Sequence, residues 1–145
     1  MAAYIANVKY VEAMSGILVQ LFVPSAGYDD LVNESAGQVI DTEVFHGLND
    51  EEAARILKSQ VSTHRKALAE EERKAWIMQC VNALPPQFRE KTFALFAMRI
   101  AHSKNGKPSA DDYERLEVVA ELLDVSSEQS AKIMEVCNLL ACQIV

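Results

Sequence analysis

Apolar residues recur at three- and four-residue intervals along most of this chain, in blocks of helical length separated by glycine, proline and capping residues. This period is typical of one face of an α-helix, and no segment alternates polar and apolar residues long enough to indicate a strand. The pattern predicts seven helices, at about 4–23, 29–46, 49–68, 70–84, 87–103, 110–123 and 127–144. We therefore expect an all-α fold, a compact single-domain bundle over residues 1–145.

Capping residues and prolines predict several helix ends. Asn49 is placed to cap the third helix, and Ser109 to cap the sixth with Asp112 at the third helical position. Pro85 and Pro86 are expected to end the fourth helix, because proline disfavours helical backbone in the residue before it.

The apolar positions also predict which side chains are buried. The fifth helix is apolar on most sides, which predicts a central position. Cys142 is expected to be a buried thiol, whereas His64 stands beside two basic residues and is expected to face solvent. On the seventh helix, the expected buried face consists of Ile133, Val136, Cys137, Leu140 and Ile144.

The net charge of −7 argues against general nucleic-acid binding. The charge is unevenly distributed: residues 1–54 carry −8, residues 55–107 carry +7 and residues 108–145 carry −6. Either the positive middle packs between the negative ends, or surface faces of opposite sign steer protein partners. Both interpretations stay open, and so does a homo-oligomer.

The sequence favours a cytoplasmic protein. No apolar run reaches the roughly 18–20 residues that a membrane span needs, so no transmembrane segment is expected. The first apolar block lacks a preceding basic region and is interrupted by Glu12, so it is interpreted as a structural helix and not as a signal peptide. The three cysteines fit a reducing compartment.

One segment has a recognisable signature. Ala101 begins the run Ala-His-Ser-Lys-Asn-Gly, which ends at Gly106; Asp112 follows six residues later, and Leu116 four after that. Residues 93–124 thereby resemble the helix–turn–helix repeat of the TerB-like tellurite-resistance family. The resemblance implies an all-α protein built of two related halves, with a degenerate first copy over residues 21–34. It also implies a non-enzymatic, cytoplasmic, stress-linked role.

The same resemblance implies a divalent-cation site, with calcium as the expected ion. The residues at the matching positions are Asp29, Asp30, Asn105 and Asp112. A hard cation needs several converging oxygens, and Lys104 and Lys107 beside the second turn oppose it. Asp112 also has a structural alternative as a helix-capping residue, and Asn105 as a left-handed turn residue.

No catalytic motif is apparent. Glu43 and His46 have the Glu-x-x-His spacing of helical di-iron proteins, but a second copy is absent from the sequence. We therefore expect no enzyme, and a binding or scaffold module that docks protein partners through its charged faces. A divalent-cation-binding tellurite-resistance protein is the first alternative, and a metal-dependent helical enzyme the second.

Overall fold

Local sequence signals place the helices, and the structure confirms the all-α class. This computed structural model describes residues 7–23, 29–40, 42–66 and 69–144, without the side chains of residues 29–33 and 40. Over these ranges it contains seven α-helices and no strand. The helices are α1 Val8–Phe22, α2 Asp29–Ile40, α3 Asp50–Lys66, α4 Glu70–Asn82, α5 Pro86–Ser103, α6 Ala110–Leu122 and α7 Ser127–Ala141.

The helices group into two units, residues 1–84 and residues 85–145. In the first unit, α1 packs against α2, α3 and α4, and its Ile17, Leu18 and Val19 are fully buried. In the second unit, α5 packs against α6 and α7, and Phe93 and Phe96 are fully buried. Each unit thus buries its own apolar residues; the expectation of a single domain stays a prediction.

The expected caps are present. The Asn49 side-chain oxygen accepts a hydrogen bond from the Glu52 backbone N–H at 2.8 Å. The Ser109 hydroxyl accepts from the Asp112 N–H at 3.2 Å, and the Asp112 carboxylate accepts from the Ser109 N–H at 2.8 Å. These two bonds form a reciprocal capping box that starts α6. Pro86 begins α5, where a missing N–H costs no helical bond.

The prediction of one helix over 29–46 is wrong beyond Ile40. The hydroxyl and the N–H of Thr42 both donate to the Val39 carbonyl, at 2.6 and 3.1 Å. Glu43–Phe45 then form a separate 3-10 turn. Thr42 itself has extended backbone, with φ −78° and ψ 162°, and periodicity alone does not reveal this.

The prediction that His64 faces solvent is also wrong. Its side chain is 2% exposed, and its Nδ1 lies 2.8 Å from the Gln20 side-chain oxygen of α1. The buried face of α3 consists of Ala53, Ile56, Gln60 and His64, which share one side of the helix. Two polar residues therefore extend the buried stripe, and the adjacent basic residues point away from it.

The expected buried face of α7 is wrong in part. Cys137 is buried, but Val136 and Leu140 are 55% and 62% exposed, and Ile144 beyond the helix is fully exposed. Met134 and Ala141 are buried together with Cys137. The sequence of α7 carries two apolar stripes, and packing within the second unit buries the stripe that contains the smaller residues.

The three cysteines differ in exposure, and the expectation that Cys142 is buried is wrong. Cys80 and Cys137 are buried, whereas Cys142 is exposed. Burial raises the pKa of Cys80 to about 11 and also raises the pKa of Cys137. Because the thiolate is the reactive form, both buried thiols should be inert in the folded protein.

We expect a native thiol titration with a disulfide reagent to detect Cys142 rapidly and the other two thiols slowly. In denaturant all three should react at similar rates, because unfolding removes the burial that protects them. A Cys142→Ser variant is the control and should abolish the fast phase. Rapid native labelling of Cys80 would contradict the packing of α4 described above.

Candidate functional site

The turn at the end of α5 is a well-defined backbone structure. Asn105 and Gly106 both have positive φ angles, of 53° and 79°. The Gly106 N–H donates to the Ala101 carbonyl at 2.9 Å, and the Asn105 N–H donates to the His102 carbonyl at 3.4 Å. These two bonds are those of a Schellman motif, which satisfies the last carbonyls of a helix. The residues that carry the family resemblance thus have a structural role.

Gly106 also lies against the end of α7. A Cβ added to it would be 2.5 Å from the Asn138 carbonyl oxygen and 2.8 Å from the Cys142 sulfur. The turn therefore needs glycine for two independent reasons, its left-handed backbone and this close approach.

The Asp112 carboxylate is occupied by its local partners. It accepts the hydrogen bond from the Ser109 N–H, and Lys104 Nζ lies 3.8 Å away. The Ser109 N–H is the largest cause that lowers the pKa of Asp112 below its ordinary value of 3.8; the Ser109 hydroxyl and the charges of Lys104 and Arg115 lower it further. The carboxylate is thus held ionised as a helix cap.

The four expected metal ligands fall in both units. The side chains of Asp29 and Asp30 lie outside the described residues, and these two positions begin α2 in the first unit. Asn105 and Asp112 belong to the second unit. Among the residues with described side chains, no group of three or more His, Cys, Asp or Glu is placed to hold a metal ion. The cation site stays a prediction.

A pH-dependent stability test separates capping from cation binding at Asp112. We expect Asp112→Ala to lower the melting temperature at neutral pH without added metal, because the capping box is lost. A carboxyl whose folded pKa is depressed stabilises above its ordinary pKa and loses this contribution as pH falls through the folded value. The difference from the wild type, measured by circular dichroism, should therefore shrink below pH 3.8.

Asp111→Ala is the matched control, because Asp111 is exposed in the same first turn and is expected to give the smaller loss. A calcium-dependent rise in melting temperature that disappears in Asp112→Ala would instead support the cation site.

Glu43 and His46 do not lie on an α-helix. Glu43 begins the 3-10 turn and His46 follows it, with its N–H donating to the Glu43 carbonyl at 3.0 Å. Both side chains are exposed beside an open hollow of about 520 Å³. This geometry differs from the α-helical Glu-x-x-His arrangement on which the di-iron alternative rests.

A cleft that the sequence does not predict lies between α6 and α7 in the second unit. Its volume is about 900 Å³. Four carboxylates line it and no basic side chain does; the carboxylates are Glu117, Glu121, Asp124 and Glu135. Ala120, Val125 and Met134 are buried beneath them. The cleft is thus an acidic groove over an apolar floor, and we call it the α6–α7 cleft.

Most of this negative charge is uncompensated. Asp124 pairs with Arg89 at 3.4 Å, through a side chain that is 83% exposed. Glu117, Glu121 and Glu135 form no ion pair within the described part of the chain. A concave surface lined by one sign of charge focuses the field and attracts ions of the opposite sign.

A buried oxygen lies at one end of the cleft. The Asn138 amide N–H₂ donates to the Tyr113 hydroxyl at 3.0 Å. The other amide atom, Asn138 Oδ1, is buried and accepts no hydrogen bond from any described residue. Buried polar atoms are nearly always hydrogen-bonded in native proteins. Because this oxygen has almost no accessible surface, it is enclosed by the protein and is not open to the cleft.

The sequence contained a signal for this cleft. Glu117 and Glu121 recur at an interval of four residues, which places them on one face of α6, and Asp124 follows just after the end of that helix. The excess of acidic residues over 108–145 indicates a negatively charged surface, but it does not indicate that this surface is concave. That setting depends on how α7 folds back beside α6.

Comparison of the chain with known proteins assigns no family. No family model, no curated protein and no solved structure matches it. The resemblance of residues 93–124 to the TerB-like family therefore stays a prediction. No helix in the described ranges is long and apolar enough to cross a membrane. The chain is an all-α protein with two helical units and an acidic cleft in the second.

Proposed function

We propose that this protein is a non-enzymatic binding module that docks a partner protein in the α6–α7 cleft. The observation that carries the proposal is the cleft itself: about 900 Å³ lined by four carboxylates and no basic side chain. A cytoplasmic, stress-linked role, with tellurite as one stress, is the physiological part of the proposal. That part rests on the sequence composition and on the resemblance of residues 93–124 to the TerB-like family.

The cleft has the features of a docking surface. Recognition sites are concave and combine an apolar floor with a few polar groups that fix orientation. Here Ala120 and Met134 supply floor atoms, and Ser130 and Asn138 supply hydrogen-bonding groups along α7. The carboxylates of the two helices add a field that accelerates encounter with a partner and selects its charge.

A peptide-display selection on the full-length chain tests the docking function. The cleft variant carries Glu117→Gln and Glu121→Gln. The control variant carries Glu114→Gln and Glu128→Gln, which remove the same charge from exposed positions of α6 and α7 that do not line the cleft. Both variants keep side-chain length and helix propensity nearly unchanged.

We expect selected peptides to bind the wild type and the control variant alike, and to lose binding to the cleft variant. Chemical-shift changes on titration should centre on residues of the cleft. Peptides that bind all three proteins equally, or no enrichment at all, would contradict docking in the α6–α7 cleft.

A further inference from the structure

We infer that α7 carries a second docking surface, and that the occupant of this surface is a second copy of the same chain. The surface consists of four exposed apolar side chains, which we call the α7 patch: Val136, Leu139, Leu140 and Ile144. None of them lines the α6–α7 cleft, so the inference goes beyond the proposed function and does not depend on it.

The α7 patch is contiguous and open to solvent. Val136, Leu139 and Leu140 are spaced three and four residues apart, which places them on one side of α7. Their side chains are 55%, 74% and 62% exposed, and Ile144 just beyond the helix is fully exposed. Single exposed apolar residues are ordinary, but a contiguous exposed group indicates an interaction surface.

The absence of charge favours a second copy as the occupant. Residues 136–145 contain no acidic or basic residue, although 24% of the whole chain is charged. Because the chain carries a net charge of −7, two copies repel each other, and this repulsion is weakest where two uncharged surfaces meet. A second copy brings the same apolar, uncharged patch, so the surface is complementary to itself in a two-fold dimer.

The size of the patch fits a weak, reversible dimer. At these exposures the four side chains and the residues between them offer about 500 Å² per copy, so two copies bury about 1,000 Å², the lower limit for a specific interface. We therefore expect a dissociation constant of about 10–100 µM. At lower protein concentrations the chain is monomeric, and the patch residues then add little to the stability of the fold.

Lys132 favours an antiparallel arrangement of the two α7 helices. It lies one turn before Val136 on the same side of the helix, and its ion pair with Glu128 is exposed and therefore weak. A parallel pair would bring the two Lys132 ammonium groups together. In an antiparallel pair each ammonium group lies near the C-terminal end of the other α7, where the helix dipole is negative.

Sedimentation equilibrium on the full-length chain tests the dimer over protein concentrations of about 1–500 µM, which bracket the expected dissociation constant. Leu140→Lys disrupts the patch, and Val118→Lys is the matched control, because Val118 is 61% exposed on α6. We expect Leu140→Lys to weaken dimerisation at least about tenfold, because it places a charge inside an apolar contact, and Val118→Lys to weaken it less than about twofold. Both substitutions lower the net negative charge, so added overall repulsion cannot explain a loss.

A second pair of variants tests the antiparallel orientation. Lys132→Gln removes two symmetric charge–dipole contacts from the dimer and should weaken it about threefold or more. Lys107→Gln makes the same change of net charge at an exposed position outside α7, and should change the dissociation constant less than about twofold. Equal effects of these two substitutions would overturn the antiparallel arrangement.

A wild type that stays monomeric at about 500 µM would overturn the inference and indicate a different protein as the occupant of the patch. Equal dimerisation of Leu140→Lys and Val118→Lys would overturn it too, provided that circular dichroism shows both variants folded. Dimerisation should persist in about 0.5 M salt, because apolar contacts are not screened; loss of the dimer there would contradict the apolar interface. The cleft variant should dimerise like the wild type, so failure of the dimer and failure of docking in the cleft are observed separately.

Discussion

Replacing Gly106 by alanine is expected to destabilise the second unit by about 2–4 kcal/mol, since strained backbone and overpacking each cost about 1–3 kcal/mol. The φ angle of 79° is one that an L-residue rarely adopts. The added Cβ would stand 2.5 Å from the Asn138 carbonyl oxygen, a backbone atom that cannot move without displacing the end of α7. Denaturant unfolding followed by far-ultraviolet circular dichroism measures the loss.

Two substitutions control for this result. Gly37 lies inside α2 with no atom within 4 Å of an added Cβ, so Gly37→Ala should stabilise by about 0.5–1 kcal/mol. Asn105→Gly in the same turn should change stability by less than about 0.5 kcal/mol, because glycine accepts the left-handed backbone and the side chain is exposed. A Gly106→Ala variant as stable as the wild type would show that the turn does not approach α7.

Met134→Ala is expected to cost about 2–5 kcal/mol, whereas Leu140→Ala should stay within about 0.5 kcal/mol of the wild type. Met134 is 5% exposed and Leu140 is 62% exposed on the same helix. Truncating the buried side chain leaves a cavity, while truncating the exposed one removes few contacts. Denaturant midpoints with unchanged slopes would establish that both values report stability alone.

This pair decides which apolar stripe of α7 forms the core. The apolar spacing predicts that Leu140 is buried, on a face shared with Ile133, Val136, Cys137 and Ile144. The structure instead buries the stripe that contains Met134. A large loss in Leu140→Ala together with a small loss in Met134→Ala would restore the sequence-based assignment and contradict the packing of the second unit.

The helix positions were largely predictable because their determinants are local. The Asn49 and Ser109 caps each bond to an N–H three residues away, so both partners are visible within one turn of sequence. Pro85 and Pro86 also act locally, because a proline ring fixes its own φ angle and keeps the preceding residue out of helical backbone. The end of α2 was not predicted, since the extended backbone of Thr42 has no signature in apolar periodicity.

The candidate site was less predictable. Asp112 was correctly given a structural alternative, because capping boxes have a sequence pattern. The α6–α7 cleft was not foreseen, since its carboxylates on α6 appear in the sequence as an ordinary charged face. Glu135 and Asn138 join them only because α7 folds back beside α6. The buried oxygen of Asn138 has no sequence signal at all.

Residue order alone was enough for the all-α class, most helix limits and the Asn105–Gly106 turn, because backbone caps and apolar periods act over a few neighbouring residues. Packing between helices decided the rest. Packing buries the polar His64 on α3, and on α7 it buries Met134 and leaves Leu140 exposed. It also brings acidic residues that are distant in sequence together in one cleft. Those outcomes depend on which face of each helix meets another, and residues far apart in sequence determine that contact.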